Sequence, residues 1–183
     1  LSGGYNTAVS EDKSKLVATL DGHLQYRNGV FHVQPLYNVF GNVDYGVGNI
    51  DFPGDVHITG DVKNGFIVQA KGNIVIDGMG EGAVIDAGGD IRIRKGGLGD
   101  GRAVIKSQRS VNAQFLENCV VYAKDSVIAS SILTANVYSD DQIVVRTGRG
   151  TIIGGKLTAG NLISATVIGS RSERLTELFV GDY

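Results

Sequence analysis

The chain is poor in four residue types that often mark a particular class of protein. Its 183 residues include one cysteine, one methionine, two prolines and no tryptophan. The single cysteine, Cys119, excludes an internal disulfide and favours a reducing compartment. No run approaches the roughly 18 apolar residues that a membrane-spanning helix needs. We therefore expect a cytoplasmic chain with no membrane span. Because it begins at Leu1 and its one methionine is Met79, we also expect it to be a piece of a longer protein.

The chain also lacks an excess of charge of either sign, with 17 Lys and Arg against 19 Asp and Glu. Nothing global attracts it to nucleic acid. The three histidines, His23, His32 and His57, are too scattered for a metal site or a nucleophile–base pair. Asp140 and Asp141 form an adjacent acidic pair, at a position where neighbouring repeats turn. The sequence therefore predicts no catalytic residue, no metal, no cofactor and no enzymatic activity.

Glycine is abundant, with 27 copies, and its spacing follows a repeat. From residue 55 onward a short strand with alternating apolar residues is followed by a Gly-rich bend and by a second alternating strand. The first strands begin at Asp55, Asn73, Asp90, Ser110, Ser126, Gln142 and Leu162. A period of 16 to 20 residues with this alternation predicts a parallel β-solenoid, whose coils stack about 4.8 Å apart. The turn residues between the strands are expected to supply positive φ or side-chain caps at each bend.

The expected fold is all-β: a right-handed parallel β-helix at residues 41–183, with a small antiparallel β cap at residues 1–40. The varying coil length argues against a left-handed helix of hexapeptide turns, and right-handed winding is usual for parallel connections. In the first 40 residues, Asp21-Gly22 and Asn28-Gly29 are hairpin signals between alternating segments. A solenoid needs its end covered, and so this segment is interpreted as a cap.

Alternation also predicts which residues point inward. The first strands contribute two inward columns: Val56, Ile74, Ile91, Val111, Val127, Ile143 and Ile163, then Ile58, Ile76, Ile93, Ala113, Ala129, Val145 and Ala165. The second strands contribute Val68, Ile85, Ile105, Val121, Val137, Leu157 and Leu178. Two residues later, a mostly small set is expected at a tight corner: Ala70, Ala87, Ser107, Ala123, Ser139, Ala159 and Val180.

Two surface features are candidate protein-interaction sites. One is an outward column, the tyrosine stripe, consisting of Gln69, Asp86, Lys106, Tyr122, Tyr138, Thr158 and Phe179. It suggests a partner-binding surface, although stacking within the ladder explains the aromatics equally well. The other is a basic girdle around one coil, formed by Arg92, Arg94, Lys95, Arg102, Lys106 and Arg109. It suggests an anionic partner, while a solvated face is the simpler explanation.

Three sequence features resemble functional motifs but are better explained by the repeat. Residues 150–157 match a phosphate-binding loop except at the last position, where Leu157 replaces the hydroxyl that would bind Mg²⁺. The Gly-rich segments 78–82 and 97–101 fall at the same point of successive coils, which indicates turns. Cys119 occupies the position of Ala83 and Ala103 in other coils, and is expected to be inert.

The segment at 41–56, Gly-Asn-Val-Asp-Tyr-Gly-Val-Gly-Asn-Ile-Asp-Phe-Pro-Gly-Asp-Val, resembles the flagellar assembly protein A family. Further resemblance lies at 82–93, 115–118, 151–160 and 167–170, and in total it covers most of residues 10–182. It implies a right-handed β-helix within a longer bacterial cytoplasmic protein that acts in flagellar assembly. It also implies protein partners, in some members a sugar phosphotransferase component, and it supplies no catalytic residues.

The repeats are also similar to the C-terminal domain of the cell-division inhibitor MinC and, more distantly, to bactofilins. That similarity suggests an alternative, a self-associating cytoskeletal or cell-division module. The Asp44-Tyr45 to Pro53 segment, which MinC-like domains lack, favours the flagellar assembly protein A family. The favoured function is therefore a non-enzymatic scaffold that binds proteins.

Overall fold

A computed structural model of the chain describes residues 2–20, 22–172 and 174–181. Throughout this part of the chain the secondary structure consists of strands and turns, without a helix. The predicted all-β class and the β-solenoid are thus confirmed, with about eight coils. None of the described residues forms a helix long and apolar enough to cross a membrane.

Four strands precede the solenoid or lead into it: β1 (Thr7–Val9), β2 (Leu16–Ala18), β3 (Gly22–Arg27) and β4 (Val30–Val39). β1 and β2 form a two-stranded antiparallel sheet, and β3 and β4 form a hairpin. Between β3 and β4, Asn28 and Gly29 have φ values of 52° and 75°. Two successive positive φ values are what a type I′ hairpin turn requires, so this turn signal is confirmed. In the other signal, Asp21 lies outside the described residues.

Sixteen further strands build the coils. They are β5 (Ile50–Phe52), β6 (Asp55–Ile58), β7 (Ile67–Ala70), β8 (Ile74–Ile76), β9 (Met79–Glu81), β10 (Val84–Ala87), β11 (Ile91–Ser107), β12 (Val111–Ala123), β13 (Ser126–Leu133), β14 (Asn136–Ser139), β15 (Gln142–Val145), β16 (Thr151–Ile153), β17 (Gly155–Ala159), β18 (Leu162–Ala165), β19 (Val167–Ile168) and β20 (Thr176–Val180). All pairings between coils are parallel.

Each coil contributes to three ladders, which we call the first, second and third faces in chain order. The first face starts with the end of β4 and with β6, and the third starts with β5 and β7. The second face lies between them and was expected to be a bend. It includes β9, residues 96–98 of β11 and residues 115–117 of β12. The coil is therefore three-sided.

Two glycines explain why the alternation pattern does not reveal the second face. Gly80 and Gly97 occupy its inward column, where Leu116 and Ile132 stand in later coils. A Cβ at Gly97 would lie 2.7 Å from Cδ1 of Ile105, and one at Gly80 would be similarly crowded. The neighbouring isoleucines fill the space of the missing side chains, so the apolar signal is absent from the strand itself.

The solenoid begins one coil earlier than the spacing of the repeats predicts. Leu36 pairs in parallel with Asp55, and Tyr37 with Val56, so the last residues of β4 are already part of a coil. This first coil closes at Ile50 to Phe52, opposite Val68 to Ala70. β4 thus passes from hairpin to solenoid without a break, a few residues before the predicted boundary at residue 41.

The predicted register is confirmed in every coil from Asp55 onward. Val56 lies beside Ile74, Ile74 beside Ile91, and Val68 beside Ile85, as the columns require. Inward residues of the central coils are almost completely buried, and they form one continuous apolar core. The small corner residues from Ala70 to Ala159 are buried as well, and Val180 in the last coil is exposed.

Polar side chains bind each coil to the next at the corner that precedes the first face. Asp55 Oδ1 accepts a hydrogen bond of 2.8 Å from the backbone N–H of Asn73, and Asn73 Oδ1 accepts one of 2.8 Å from Asp90. A Cβ at Gly72 would lie 2.0 Å from Asp55 Oδ1. Glycine therefore precedes the capping residue because the cap of the previous coil occupies that space.

Lack of space for a side chain also explains the two glycines after Ala87, Gly88 and Gly89. Positive φ was one of the roles expected for these residues. Neither Gly88 nor Gly89 is among the residues with positive φ. A Cβ at Gly88 would lie 2.3 Å from the carbonyl oxygen of Lys71, and one at Gly89 would lie 2.2 Å from Asn73 Oδ1. Of the two expected roles, this corner therefore uses side-chain caps and not positive φ, and close approach between coils is the physical reason for these glycines.

The two ends of the solenoid differ. In the first coil, Val39, Val43 and Ile50 are 6, 0 and 7% exposed. In the last coil, the inward positions that correspond to Val43 and Ile50 are more open: Ile168 is 50% exposed and Leu178 37%. The N-terminal end of the core is therefore covered, whereas the C-terminal coil presents apolar side chains.

Candidate functional site

The tyrosine stripe lies on the third face in the predicted order. Tyr122 pairs with Lys106 on one side and with Tyr138 on the other, and Tyr138 pairs with Thr158. The rings of Tyr122 and Tyr138 are stacked, with centroids 6.4 Å apart and planes inclined by 25°. Tyr138 is 52% exposed. The stripe is therefore a pre-formed aromatic surface held by two adjacent strands.

A carboxylate at the corner of the coil holds the hydroxyl of Tyr122. The hydroxyl donates a hydrogen bond of 3.4 Å to Asp140 Oδ2. Partial desolvation, followed by the negative charge of Asp140, raises the pKa of Tyr122. The Tyr122 hydroxyl therefore keeps its proton at physiological pH. Its hydrogen bond to Asp140 restricts the orientation of the ring, so less side-chain entropy is lost when a partner covers it.

The stripe is interrupted before its last aromatic residue. Phe179 pairs with Thr158, two coils beyond Tyr138, so its predicted position is confirmed. The ammonium group of Lys156 lies 4.9 Å from the centroid of the Phe179 ring. This contact is within the range of a cation–π interaction, and it links Phe179 to the column beside the stripe.

Beside the tyrosine stripe runs an outward aliphatic column that the sequence reasoning missed. It consists of Ile67, Val84, Val104 and Val120, which pair with one another through four successive coils. Ile67 and Val120 are 36 and 40% exposed. The signal was present in the sequence, because the second strands begin with an apolar residue in these four coils whereas the first strands begin with Asp, Asn or Ser.

The two columns together form an apolar groove of about 340 Å³ on the three successive coils that contain Tyr122, Tyr138 and Thr158. It is lined by Val120, Val121, Tyr122, Asn136, Val137, Tyr138, Lys156 and Thr158. Lys106 and Lys156 stand at opposite ends of this groove, one in each column. The groove can accept apolar side chains from a partner, with a cation near each end.

The basic girdle surrounds its coil and does not gather on one side. Arg92 and Arg94 point outward from the first face, whereas Lys106 belongs to the third face. Lys95, Arg102 and Arg109 are exposed near the corners between faces. A flat partner on one face can therefore reach only a few of the six cations.

On the first face, the arginines border a polar groove of about 300 Å³. Its other polar residues are Asn112, Gln114, Ser130 and Thr147. Arg94 is already engaged, because its Nε lies 2.8 Å from Asp77 Oδ1, and the second oxygen of Asp77 lies 2.9 Å from His57 Nε2. Part of this positive charge is thus neutralised within the fold.

The other candidate residues from the sequence are either bonded within the fold or buried in its core. Asp141 Oδ1 accepts a hydrogen bond of 2.9 Å from Asn161 Nδ2, so both members of the acidic pair take part in corner contacts. Cys119 is 3% exposed, and burial raises the pKa of its thiol to about 12. Leu157, the last residue of the segment that resembles a phosphate-binding loop, is fully buried within β17. Within the described ranges, no group of three or more His, Cys, Asp or Glu side chains could hold a metal ion.

Comparison with known proteins gives one family match. The model of the Flagellar Assembly Protein A beta solenoid domain matches residues 35–182. Its start at residue 35 agrees with the first solenoid pairing, which begins at Leu36. Neither the curated proteins nor the solved structures contain a significant match to this chain. Because the family model covers most of the sequence, the chain belongs to the Flagellar Assembly Protein A beta solenoid family.

Proposed function

We propose that this domain is a non-enzymatic scaffold of a bacterial cytoplasmic protein, and that it binds a protein partner during flagellar assembly or its regulation. The family gives the link to flagellar assembly. The observation that carries the proposal is the exposed third face, where the stacked Tyr122 and Tyr138 lie beside Val104 and Val120. Aromatic residues in a pre-organised apolar patch are typical anchors of protein interfaces.

The third face is favoured over the basic girdle as the docking surface. Its apolar and aromatic residues are adjacent on one flat face, whereas the girdle cations point in several directions. Arg94 is additionally held by Asp77. The partner class follows from the family resemblance, which suggests a sugar phosphotransferase component as one candidate.

The alternative is a self-associating module of the MinC or bactofilin type. Polymerisation through the coil ends requires two open ends, each able to receive the next molecule. The exposed Ile168 and Val180 provide one such end, whereas the burial of Val43 and Ile50 argues against a second. The covered first coil argues against polymerisation of this chain through both of its ends.

Affinity capture from a lysate of a flagellated bacterium tests the proposal. The bait is this chain, either unchanged or with Tyr122→Ala and Tyr138→Ala together. We expect the double variant to retain its partner at least about tenfold more weakly, or roughly 1.4 kcal/mol, because the aromatic anchors are lost. Its melting temperature should fall only slightly, since Tyr138 is half exposed.

The matched control removes outward side chains from the same two coils on the first face, with Asn112→Ala and Ile128→Ala together. This control should bind normally. A second bait carries Arg92→Glu, Arg94→Glu and Lys95→Glu. If the tyrosine variant binds normally and the arginine variant loses capture, the girdle is the docking surface and the tyrosine stripe is only structural.

A further inference from the structure

The third face also limits the shape of its partner, an inference that rests on the proposed function and extends it. The side wall of a solenoid presents side chains, because its backbone groups are already bonded to the coils above and below. A partner strand therefore finds no free edge there to extend, and binding has to rely on side-chain packing. An amphipathic helix laid on a sheet is the usual arrangement of that kind.

The size of the apolar groove argues for one helix and against a second solenoid. Lys106 and Lys156 mark its ends and lie three coils and one column apart. With coils about 4.8 Å apart and alternate residues of a strand about 7 Å apart, the two positions are separated by roughly 16 Å. A stable interface between two folded proteins needs about 800 Å² on each side. The groove between the two lysines provides much less, while the aliphatic column continues past it to Ile67, and a groove of this size suits a helix about 10 Å wide.

The charge pattern specifies the ends of that helix. Along the tyrosine column the order is Asp86, Lys106 and then Tyr122, and along the other column it is Asn136, Lys156 and then Glu177. In both columns the lysine stands nearer to the groove than the acid does. Each end of the groove therefore has one lysine, while the carboxylate of Asp140 beside the groove is already bonded to the Tyr122 hydroxyl, and the groups that complement the two lysines are carboxylates.

From this geometry we infer that the third face binds an acidic amphipathic helix of another protein, with two carboxylates that bracket two large apolar side chains. A separation of roughly 16 Å corresponds to about eleven residues at a rise of 1.5 Å per residue. Residues i, i+4, i+7 and i+11 share one side of a helix. The acids therefore stand at i and i+11, facing Lys106 and Lys156, and the apolar residues at i+4 and i+7 enter the groove.

A designed peptide tests this inference on the intact chain. The peptide is an alanine-rich helix of about sixteen residues, stapled on its far side, with glutamate at i and i+11 and leucine at i+4 and i+7. A matched peptide carries lysine in place of both glutamates. We expect fluorescence anisotropy to show saturable binding of the acidic peptide, and binding of the lysine peptide at least tenfold weaker. The chain with Lys106→Glu and Lys156→Glu should reverse this preference, and Tyr122→Ala with Tyr138→Ala should weaken both.

Equal binding of the two peptides, or no reversal in the lysine variant, overturns the inference. Sedimentation tests whether a second copy of this chain occupies the third face instead. A dimer that the tyrosine substitutions dissociate would also overturn the inference. Failure of the inference is distinguishable from failure of the proposed function. If lysate capture depends on Tyr122 and Tyr138 but the acidic peptide does not bind, the face is a docking site for a partner of another shape. If capture is indifferent to both tyrosines, the proposed function itself fails.

Discussion

At the residue scale, the corner that follows the third face tolerates only small side chains. Ala87 and Ala123 are fully buried, and each lies between the corresponding residues of two neighbouring coils. The backbone turns here, and the next coil follows at about 4.8 Å, so no neighbour can move away. Outward residues one position earlier, such as Asp86, face solvent and have room.

Ala123→Leu should destabilise the fold by about 1 to 3 kcal/mol, because the added methylenes overpack a closed corner. Asp86→Leu should change stability much less. Urea denaturation followed by circular dichroism measures both free energies of unfolding. Equal losses in the two variants would contradict the coil register.

At the scale of the strand, the coils are coupled by side chains as well as by the parallel ladders. Asp55 caps the N–H of Asn73 in the next coil, and the absence of a side chain at Gly72 leaves space for its carboxylate. The same arrangement recurs with Asn73, Gly89 and Asp90. Each Gly-Asx pair therefore specifies how closely one coil approaches the next.

This arrangement predicts that Asp55 and Gly72 are energetically coupled. Asp55→Ala should cost about 0.5 to 1.5 kcal/mol through the lost hydrogen bond. Gly72→Ala should also be destabilising, since its Cβ would meet Asp55 Oδ1 at 2.0 Å. In the double variant the clash with the carboxylate is gone, so the loss should be smaller than the sum by at least about 0.5 kcal/mol. A double-mutant cycle from urea denaturation measures this difference, and strict additivity would contradict the shared space.

For the whole molecule, the decisive feature is the difference between the ends. The first coil places Tyr37 and Phe52, whose ring centroids are 5.5 Å apart, at positions that Val56 and Ala70 occupy in the next coil. Larger side chains thus help to fill the N-terminal end. At the other end, inward side chains of the last coil stay partly exposed.

Self-association of this chain should therefore proceed through the C-terminal coil and stop at the dimer. Two such ends that meet around a twofold axis leave no open end for further growth. Ile168→Lys together with Val180→Lys should abolish the dimer, because each places a charge in the apolar contact. Light scattering across a range of concentrations measures the mass. Growth into long filaments would support the polymerising alternative, and a monomer at every concentration would contradict the prediction.

The strands that sequence reasoning predicted best are those whose alternation is uninterrupted. The inward column from Val56 to Ile143 and the stacking of Tyr122 on Tyr138 follow from a period of two and a regular coil length. The second face was missed because Gly80 and Gly97 replace apolar residues there. The first coil was missed because Tyr37 and Phe52 depart from the small and branched residues of the repeat. The hand of the winding stays a prediction.

The sequence by itself determined the repeat, the inward columns and the aromatic stripe, because each depends on side-chain alternation along single strands. Only the tertiary structure decided which candidates lie together. Stacking in parallel register placed Val104 and Val120 beside the tyrosines, whereas the three-sided path of the coil dispersed Arg92, Lys106 and the other girdle cations around the rod. Positions close in sequence can point in opposite directions around a coil, while residues sixteen apart become neighbours, since contact is set by the length and corners of each turn.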